Sequence, residues 1–246
     1  MQLFASKNPT LLGVDISTTA IKLLELGPAG DGFRVESYAV EPLPPNAIGD
    51  KNITDVEVVG EAIARAVTKS GTRTKTAACA VPGSTVITKV ITVGAELSEN
   101  EVESQIQLEA DQHIPFPLDE VNLDFEVLGP NERQPDRVDV LLAASRSENV
   151  EQRVSALQAG GLTAKVVDIE TFALENAFNL LIQGDKVGNK ATVAILDVGA
   201  SITTLTVSQN GKVVYTREQA FGGRQLTEEI QRRYGRLVTH FIALNQ

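Results

Sequence analysis

One local plan is written twice in this chain, and the repetition limits its possible folds more than any other feature. Leu11 to Ile16 is an apolar run that breaks at the small polar residues Ser17-Thr18-Thr19. A second apolar run, Ala20 to Leu26, leads to turn chemistry at Gly27-Pro28-Ala29-Gly30-Asp31-Gly32. Phe33 to Val40 then alternates with one slip, and Val56, Val59, Ile63 and Val67 recur at helical spacing before Gly71. Near the other end, Ala191 to Leu196 runs into Asp197-Val198-Gly199-Ala200-Ser201. Ile202 to Val207 is a second strand, Asn210-Gly211 is a hairpin turn signal, and Lys212 to Glu218 is a third strand. Phe221-Gly222-Gly223 opens a helix over Gln225 to Tyr234. Three strands and a helix in the same order, twice, predict a duplicated α/β fold.

The stretch between the copies has a different grammar. Thr76 to Val81 is a strand closed by Pro82-Gly83, and Thr85 to Val93 is another. Ser98-Glu99-Asn100-Glu101 reads as a capping box, opening a helix with Val102, Ile106 and Ala110 or His113 on one face; Pro115 and Pro117 end it. Val121 to Leu128 and Arg137 to Ala144 are strands joined by a polar, mobile connector, Gly129 to Asp136. This strand-helix-strand-strand order predicts a small inserted subdomain over residues 84–146. Ser147 opens a helix with Val150, Val154 and Leu157 inward, closed by Gly160-Gly161. Ala164 to Ile169 is a strand, Phe172 to Ile182 a helix, and Gly184 to Lys190 a polar connector. The expected organisation is a first half over 1–83 and 147–188, the insert, the start of a second half over 190–235, and a tail over 236–246.

Charge narrows the function classes. The net charge is −10, which disfavours nucleic acid as a partner because phosphate contacts need clustered Lys and Arg. The single cysteine, Cys79, excludes a disulfide within the chain and favours a reducing compartment. It reads as a small buried residue, with a reactive thiol as the alternative. Two histidines and one cysteine, far apart in sequence, do not make a structural zinc site. No apolar stretch reaches the roughly 20 residues that span a bilayer. Met1 to Thr10 lacks the features of a signal peptide. A cytoplasmic protein is expected, and any membrane role would run through a partner.

The two turns carry the chemistry. Each sets an Asp at the end of a buried strand, followed by small residues: Asp15 with Ser17, Thr18 and Thr19, and Asp197 with Gly199, Ala200, Ser201 and Thr203. Small residues let backbone N–H groups approach phosphate oxygens, and hydroxyls add donors. A carboxylate beside phosphate is repelled unless a cation intervenes, so Asp15 and Asp197 are expected to act through the waters of Mg²⁺. Lys22 can point back to the terminal phosphates. Either turn alone also fits an ordinary hairpin. Two copies heading the same unit describe two hairpins facing one polyphosphate, with Asp15 and Asp197 close across a cleft.

Duplicated β-β-β-α units with these turns resemble the phosphate-1 and phosphate-2 motifs of the actin/Hsp70/sugar-kinase superfamily. The resemblance implies an actin-like ATPase fold built from ribonuclease-H-like halves. Asp168-Ile169-Glu170-Thr171-Phe172-Ala173-Leu174 resembles its first connecting motif, which makes Glu170 the candidate to orient an attacking water; an exposed helix-start acid is the alternative. Gly222 and Gly223 stand where relatives approach the nucleotide. An insert after the fourth strand, with this order, is similar to the FtsA type, and Gln112-His113-Ile114-Pro115-Phe116-Pro117-Leu118-Asp119-Glu120 resembles the PilM family of type IV pilus assembly proteins.

That family resemblance implies ATP and Mg²⁺ as cofactors. It also implies as partner the N-terminal cytoplasmic segment of the inner-membrane protein PilN, within the inner-membrane pilus alignment complex. The segment would lie in a groove beside the insert, walled by the Ile114-Pro115-Phe116-Pro117 corner, with Pro82-Gly83 and Gly160-Gly161 near its base; packing of that corner inside the insert is the alternative. An FtsA-like, self-associating cell-division ATPase is the alternative. A sugar-kinase phosphotransferase is the third reading, for which no general-base Asp can be placed. Ala200 and Ser201 depart from actin's second turn, so weak or absent hydrolysis is expected. The adenosine motif and second connecting motif have no counterpart here, and Arg236 to Gln246 does not resemble the family. The chain is therefore expected to be C-terminally truncated and to bind nucleotide weakly or not at all.

Overall fold

The computed structural model describes residues 10–30, 32–49, 51–182, 192–210 and 212–235. The Gly184–Lys190 connector, nearly all of the N-terminal segment and the 236–246 tail lie outside the described residues. The first repeat forms β1 (Leu12–Ile16), β2 (Ala20–Ala29) and β3 (Gly32–Pro42), an antiparallel meander. Its slip in alternation is a β-bulge. Glu25 pairs with Ser37 and Leu26 with Val35, which leaves Glu36 as the extra residue; the alternating Phe33, Val35 and Tyr38 are exposed, and Ala39 is the buried residue of the strand. The turn is tighter than the run of turn residues suggests, because Gly27, Pro28 and Ala29 are paired to Arg34, Phe33 and Gly32.

A two-pair hairpin, β4 (Ile48–Gly49) and β5 (Asn52–Ile53), precedes α1 (Val56–Ser70). Asp55 caps α1 by accepting from the Val58 N–H at 3.0 Å. The helix buries Val59, Ala62, Ile63, Ala66 and Val67 at i, i+3, i+4, i+7, i+8 spacing. Next come β6 (Thr76–Val81), then the insert: β7 (Val86–Gly94), α2 (Glu99–His113), β8 (Val121–Pro130) and β9 (Arg137–Arg146). The insert sheet runs β7-β9-β8 and packs one face on Val102, Ile106 and Ala110 of α2, forming a core separate from that of the main sheet. At the start of α2, Glu101 accepts from the Ser98 N–H at 2.8 Å and the Ser98 hydroxyl at 2.7 Å.

Two expectations change here. Ile114 is buried and Phe116 packs against the insert's own core, with the Arg146 guanidinium 4.4 Å from its ring centroid. The proline-rich corner therefore closes the insert core, because two large apolar side chains at a helix end bury most area against the sheet they adjoin. The β8–β9 connector shrinks to a hydrogen-bonded turn. Asn131 Oδ1 accepts from the N–H groups of Arg133 and Gln134 at 2.9 Å each, and its amide donates to Asp139 at 2.8 Å.

The chain returns through α3 (Ser147–Ala159), β10 (Thr163–Ile169) and α4 (Glu170–Ile182). The five-stranded sheet has the order β10-β6-β1-β2-β3, with β6 parallel to both β1 and β10. The buried positions of α3 are Arg153, Ala156 and Leu157, whereas Val150 and Val154 are only half-buried. The inward face is rotated because α3 crosses α1 at close range. A Cβ on Gly60 would lie 2.4 Å from that of Ala159, and one on Gly160 would lie 2.4 Å from Ile63 Cγ2. Gly160 thus serves the α1–α3 crossing and is no part of a groove. The second repeat forms β11 (Thr192–Val198), β12 (Thr203–Gln209), β13 (Lys212–Gln219) and α5 (Gly223–Tyr234), a meander in order β11-β12-β13. Leu196, Val214 and Leu226 remain exposed at 63%, 59% and 53%.

Candidate functional site

The two Asp turns are built to one geometry on separate sheets. Asp15 is the penultimate residue of β1 and pairs with Lys22; the last pair is Ile16 with Ile21, so the turn is residues 17–20. Asp197 is the penultimate residue of β11 and pairs with Thr204; the last pair is Val198 with Thr203, so the turn is residues 199–202. By register, the position of Lys22 is taken by Thr204, and the second turn has no lysine of its own.

Both close by the N–H of the turn's first residue donating to the carbonyl of its fourth, but their further contacts differ. Ser17 donates both its N–H and its hydroxyl to the Ala20 carbonyl, at 3.1 and 2.9 Å. The half-buried Thr19 gives its carbonyl to the Leu43 N–H at 2.8 Å, and Thr18 is half-buried beside it. In the second turn the Gly199 N–H donates to the Ile202 carbonyl at 3.0 Å. The Gly199 and Ala200 carbonyls accept from the N–H groups of Gly223 and Arg224 at 3.0 and 2.8 Å. A Cβ at Gly222 would sit 2.5 Å from the Gly199 carbonyl oxygen. Gly222 and Gly223 thus brace the second turn from behind, and the leading donors of α5 are spent on it. Thr203 donates to the Phe221 carbonyl at 2.7 Å, while the buried Ser201 hydroxyl has no protein partner.

Between the turns lies an ionic chain absent from the sequence reading. Lys22 Nζ is 3.1 Å from Asp15 Oδ2, with both side chains well exposed. Lys51 Nζ is 2.6 Å from Glu218 Oε1 and 3.6 Å from Glu170 Oε2. Glu218 pairs with Thr204, which pairs with Asp197, so Glu218 stands on the row of the second Asp. Burial pushes the Glu170 carboxyl above its ordinary value; Lys51 and then Arg153 oppose the rise, and Asp15 and Glu218 add to it. Glu170 begins α4 and keeps 43% of its side chain accessible, so it is crowded on one side and open on the other. Lys51 therefore bridges Glu170 at the start of α4 to Glu218 of the second repeat, and Lys22–Asp15 is a separate pair.

Lys51 is held in an unusual place. It sits in the β4–β5 turn with φ 67, a left-handed conformation that strains a side chain bearing a Cβ. The Arg153 guanidinium secures it, donating to the carbonyls of Lys51 at 3.0 Å, Ala80 at 2.8 Å and Asn149 at 3.1 Å. Arg153 is only 2% exposed, and its burial lowers its pKa. Burial likewise pushes the Cys79 thiol up to about 11, so Cys79 is a buried packing residue and not a nucleophile at neutral pH. Among the described residues no group of His, Cys, Asp and Glu forms a metal cluster of its own.

A groove of about 1030 Å³ separates the insert from the first half. Leu123 and Phe125 of β8 contribute apolar surface on one side, and Val167, Ile169 and Phe172 on the other. Glu103, Asp119, Asp124, Glu126 and Asp168 border it, and among its described lining residues there is no Lys or Arg. Phe116 and Gly160 do not line it. Val81 and Val86, which flank Pro82-Gly83, do.

By class, the molecule is an actin-like α/β protein: a β-β-β-α unit opens each half, a five-stranded sheet completes the first, and the insert follows that sheet's fourth strand. The family described as type IV pilus assembly protein PilM matches residues 13–239, and the chain belongs to that family. It is similar to a solved PilM-PilN type IV pilus biogenesis complex, with 27% identity and a TM-score of 0.75 over 96% of this chain and 68% of that one. The ethanolamine utilization protein EutJ from Carboxydothermus hydrogenoformans shares the fold at 16% identity and a TM-score of 0.54, over 93% of this chain and 58% of that one. Among the described residues, no helix is long and apolar enough to cross a membrane.

Proposed function

We propose that this chain is a nucleotide-responsive scaffold for type IV pilus assembly that holds the N-terminal cytoplasmic segment of PilN in the groove beside its insert. The observation that carries the reading is the groove itself: a largely apolar cleft whose charged residues, among those described, are all carboxylates, in a chain similar to a solved PilM-PilN complex. A short tethered segment also supplies the link to the inner membrane, with the scaffold itself in the cytoplasm as part of the pilus alignment complex.

ATP with Mg²⁺ fits the paired turns. The Ser201 hydroxyl is buried without a partner, as a donor awaiting a phosphate oxygen would be. Asp15 and Asp197 would hold the waters of the metal, and Lys22, exposed and paired with Asp15, can turn to a phosphate. Glu170, at the start of α4, is the candidate to orient an attacking water. The metal, when bound, would neutralise charge on the terminal phosphates. Gly222 and Gly223, which brace the second turn, are also candidates to approach the nucleotide.

The test is calorimetric titration of the chain with a synthetic PilN N-terminal segment, with and without Mg-ATP. Micromolar or tighter binding supports the scaffold reading. No binding, together with nucleotide-dependent pelleting, would move the assignment to a filament-forming, FtsA-like protein.

A further inference from the structure

The insert sheet has the order β7-β9-β8, so β7 and β8 are its two edges, and among the described residues β7 pairs with β9 and with no other strand. Open edges invite pairing, and proteins usually blunt them by shortness, proline, a bulge or charge. The β8 edge follows that rule: it carries Asp124 and Glu126, and its register shifts between Val127 and Gly129. β7 is less guarded. It runs nine residues, Val86-Ile87-Thr88-Lys89-Val90-Ile91-Thr92-Val93-Gly94, paired to β9 without a shift in register. It holds no proline and no acid, and Lys89 is its only charge.

The strand reads nearly alike in both directions about its middle residue, Val90. Two positions out stand Thr88 and Thr92, and three out stand Ile87 and Val93. An antiparallel strand of the same sequence, centred on Val90, therefore sets Thr against Thr and Ile against Val, both favourable cross-strand pairs. Lys89 falls opposite Ile91 of the second copy, so the two lysines are diagonal neighbours and not directly opposed. Moving the axis to Lys89 would put two ammonium groups face to face. Exposure agrees with the centred register. Ile91 and Val93 are buried in the insert core, whereas Thr88 and Val90 are exposed, Val90 at 51%. Thr92, on the same outer face, donates its hydroxyl to Asp139 at 3.0 Å and keeps lone pairs to accept a hydroxyl from across the edge.

We propose that β7 is a self-association edge. Two copies of this chain pair β7 to β7, antiparallel about a two-fold axis at Val90, and join their three-stranded insert sheets into one sheet. The occupant is a second copy because β7 itself matches the length, the residue pattern and the charge that the edge presents. A two-fold contact uses both edges at once, so it closes at a dimer and does not propagate into a filament. Pairing of one strand edge falls below the area of a standard interface, so the dimer is weak and grows with concentration. Of β7 only Val86 lines the groove beside the insert, so the dimer leaves two grooves open. Two tethered segments on one membrane would then be held with avidity. The pairing stands independently of the proposed function, and only this consequence draws on it.

The experiment is sedimentation of the full chain over a concentration series, where a species of twice 26.3 kDa should grow with concentration. Val90→Lys and Val90→Glu, each at an exposed position, should sediment as monomers with the parent's circular dichroism, because like charges meet at the axis. Mixing the two variants should restore the dimer. Under mild oxidation Val90→Cys should crosslink to itself, since directly opposed residues stand about 4.5–5.5 Å apart between Cα atoms, within disulfide reach. Cys79 is buried and does not compete. Thr88→Cys alone should not crosslink, because its own mate lies about 13 Å away along the strand; Thr88→Cys combined with Thr92→Cys in one chain should. A parent that stays monomeric at its highest soluble concentration, a Val90→Lys variant that still dimerises, or crosslinking of Thr88→Cys as fast as Val90→Cys would each overturn the proposal.

Discussion

Replacing Lys51 by Met tests whether the ionic chain links the two repeats. Met keeps the length of the side chain and shares the cost of φ 67, so the change isolates the charge. Two pairs are lost. The one to Glu218, at 2.6 Å with side chains 15% and 23% exposed, lies between the exposed and buried limits. Exposed pairs contribute about 0–1 kcal/mol, and breaking a buried pair costs about 3–5 kcal/mol, so this contact contributes about 1–3 kcal/mol. The contact to Glu170 is longer and more accessible, and adds about 0–1 kcal/mol. The expected penalty is about 1–4 kcal/mol in urea unfolding at neutral pH.

Its pH dependence has a definite sign. Glu170 has a raised folded pKa, so its contribution to stability is full below its unfolded value and is lost as pH rises through the folded value. Lys51 limits that rise by favouring the carboxylate. The Lys51→Met penalty should therefore be largest above the folded pKa of Glu170 and shrink as pH falls through it. Lys51→Met combined with Glu218→Gln should cost less than the sum of the single changes. A penalty that does not shrink as pH falls through the acid limb, or strict additivity in the double variant, would refute the link.

Two further outcomes follow from the turns. In a version of the protein that binds Mg-ATP, Asp15→Ala and Lys22→Ala should each abolish that binding while leaving circular dichroism unchanged, since their exposed pair contributes only about 0–1 kcal/mol to folding; unchanged affinity in both variants would count against the phosphate assignment. Gly222→Ala drives a Cβ to 2.5 Å from the Gly199 carbonyl oxygen. It should destabilise the second turn and the start of α5 by about 1–3 kcal/mol, read as faster amide exchange at Gly223 and Arg224; exchange at the parent rate would show that the brace is unimportant.

Much of this protein was legible without coordinates. Strand, turn and helix signals are short-range: a run such as Leu12 to Ile16, a capping box such as Ser98 with Glu101, or a stripe such as Val59, Ile63 and Val67 acts through neighbours within a few positions. The repeat of Asp15 and Asp197 was visible for the same reason, and the register later showed the two turns to be equal in length. What the sequence could not show is which distant groups close on a side chain. Lys51 meets Glu218 across 167 positions, and Arg153 meets the Lys51 carbonyl across 102. In the sequence, Lys51 is a charged turn residue and Arg153 a helix cation beside the apolar Val154, and both look solvent-bound. Phe116 looked like a binding surface and is packed into the insert, because a large apolar side chain takes whichever face buries it, and that face is set by α2 and β9 together. Periodicity and turn chemistry, being local, thus determined the elements and the two Asp turns. Tertiary packing alone decided the ionic chain between the halves and the two free strand edges of the insert sheet, because both depend on residues that only the folded chain brings together.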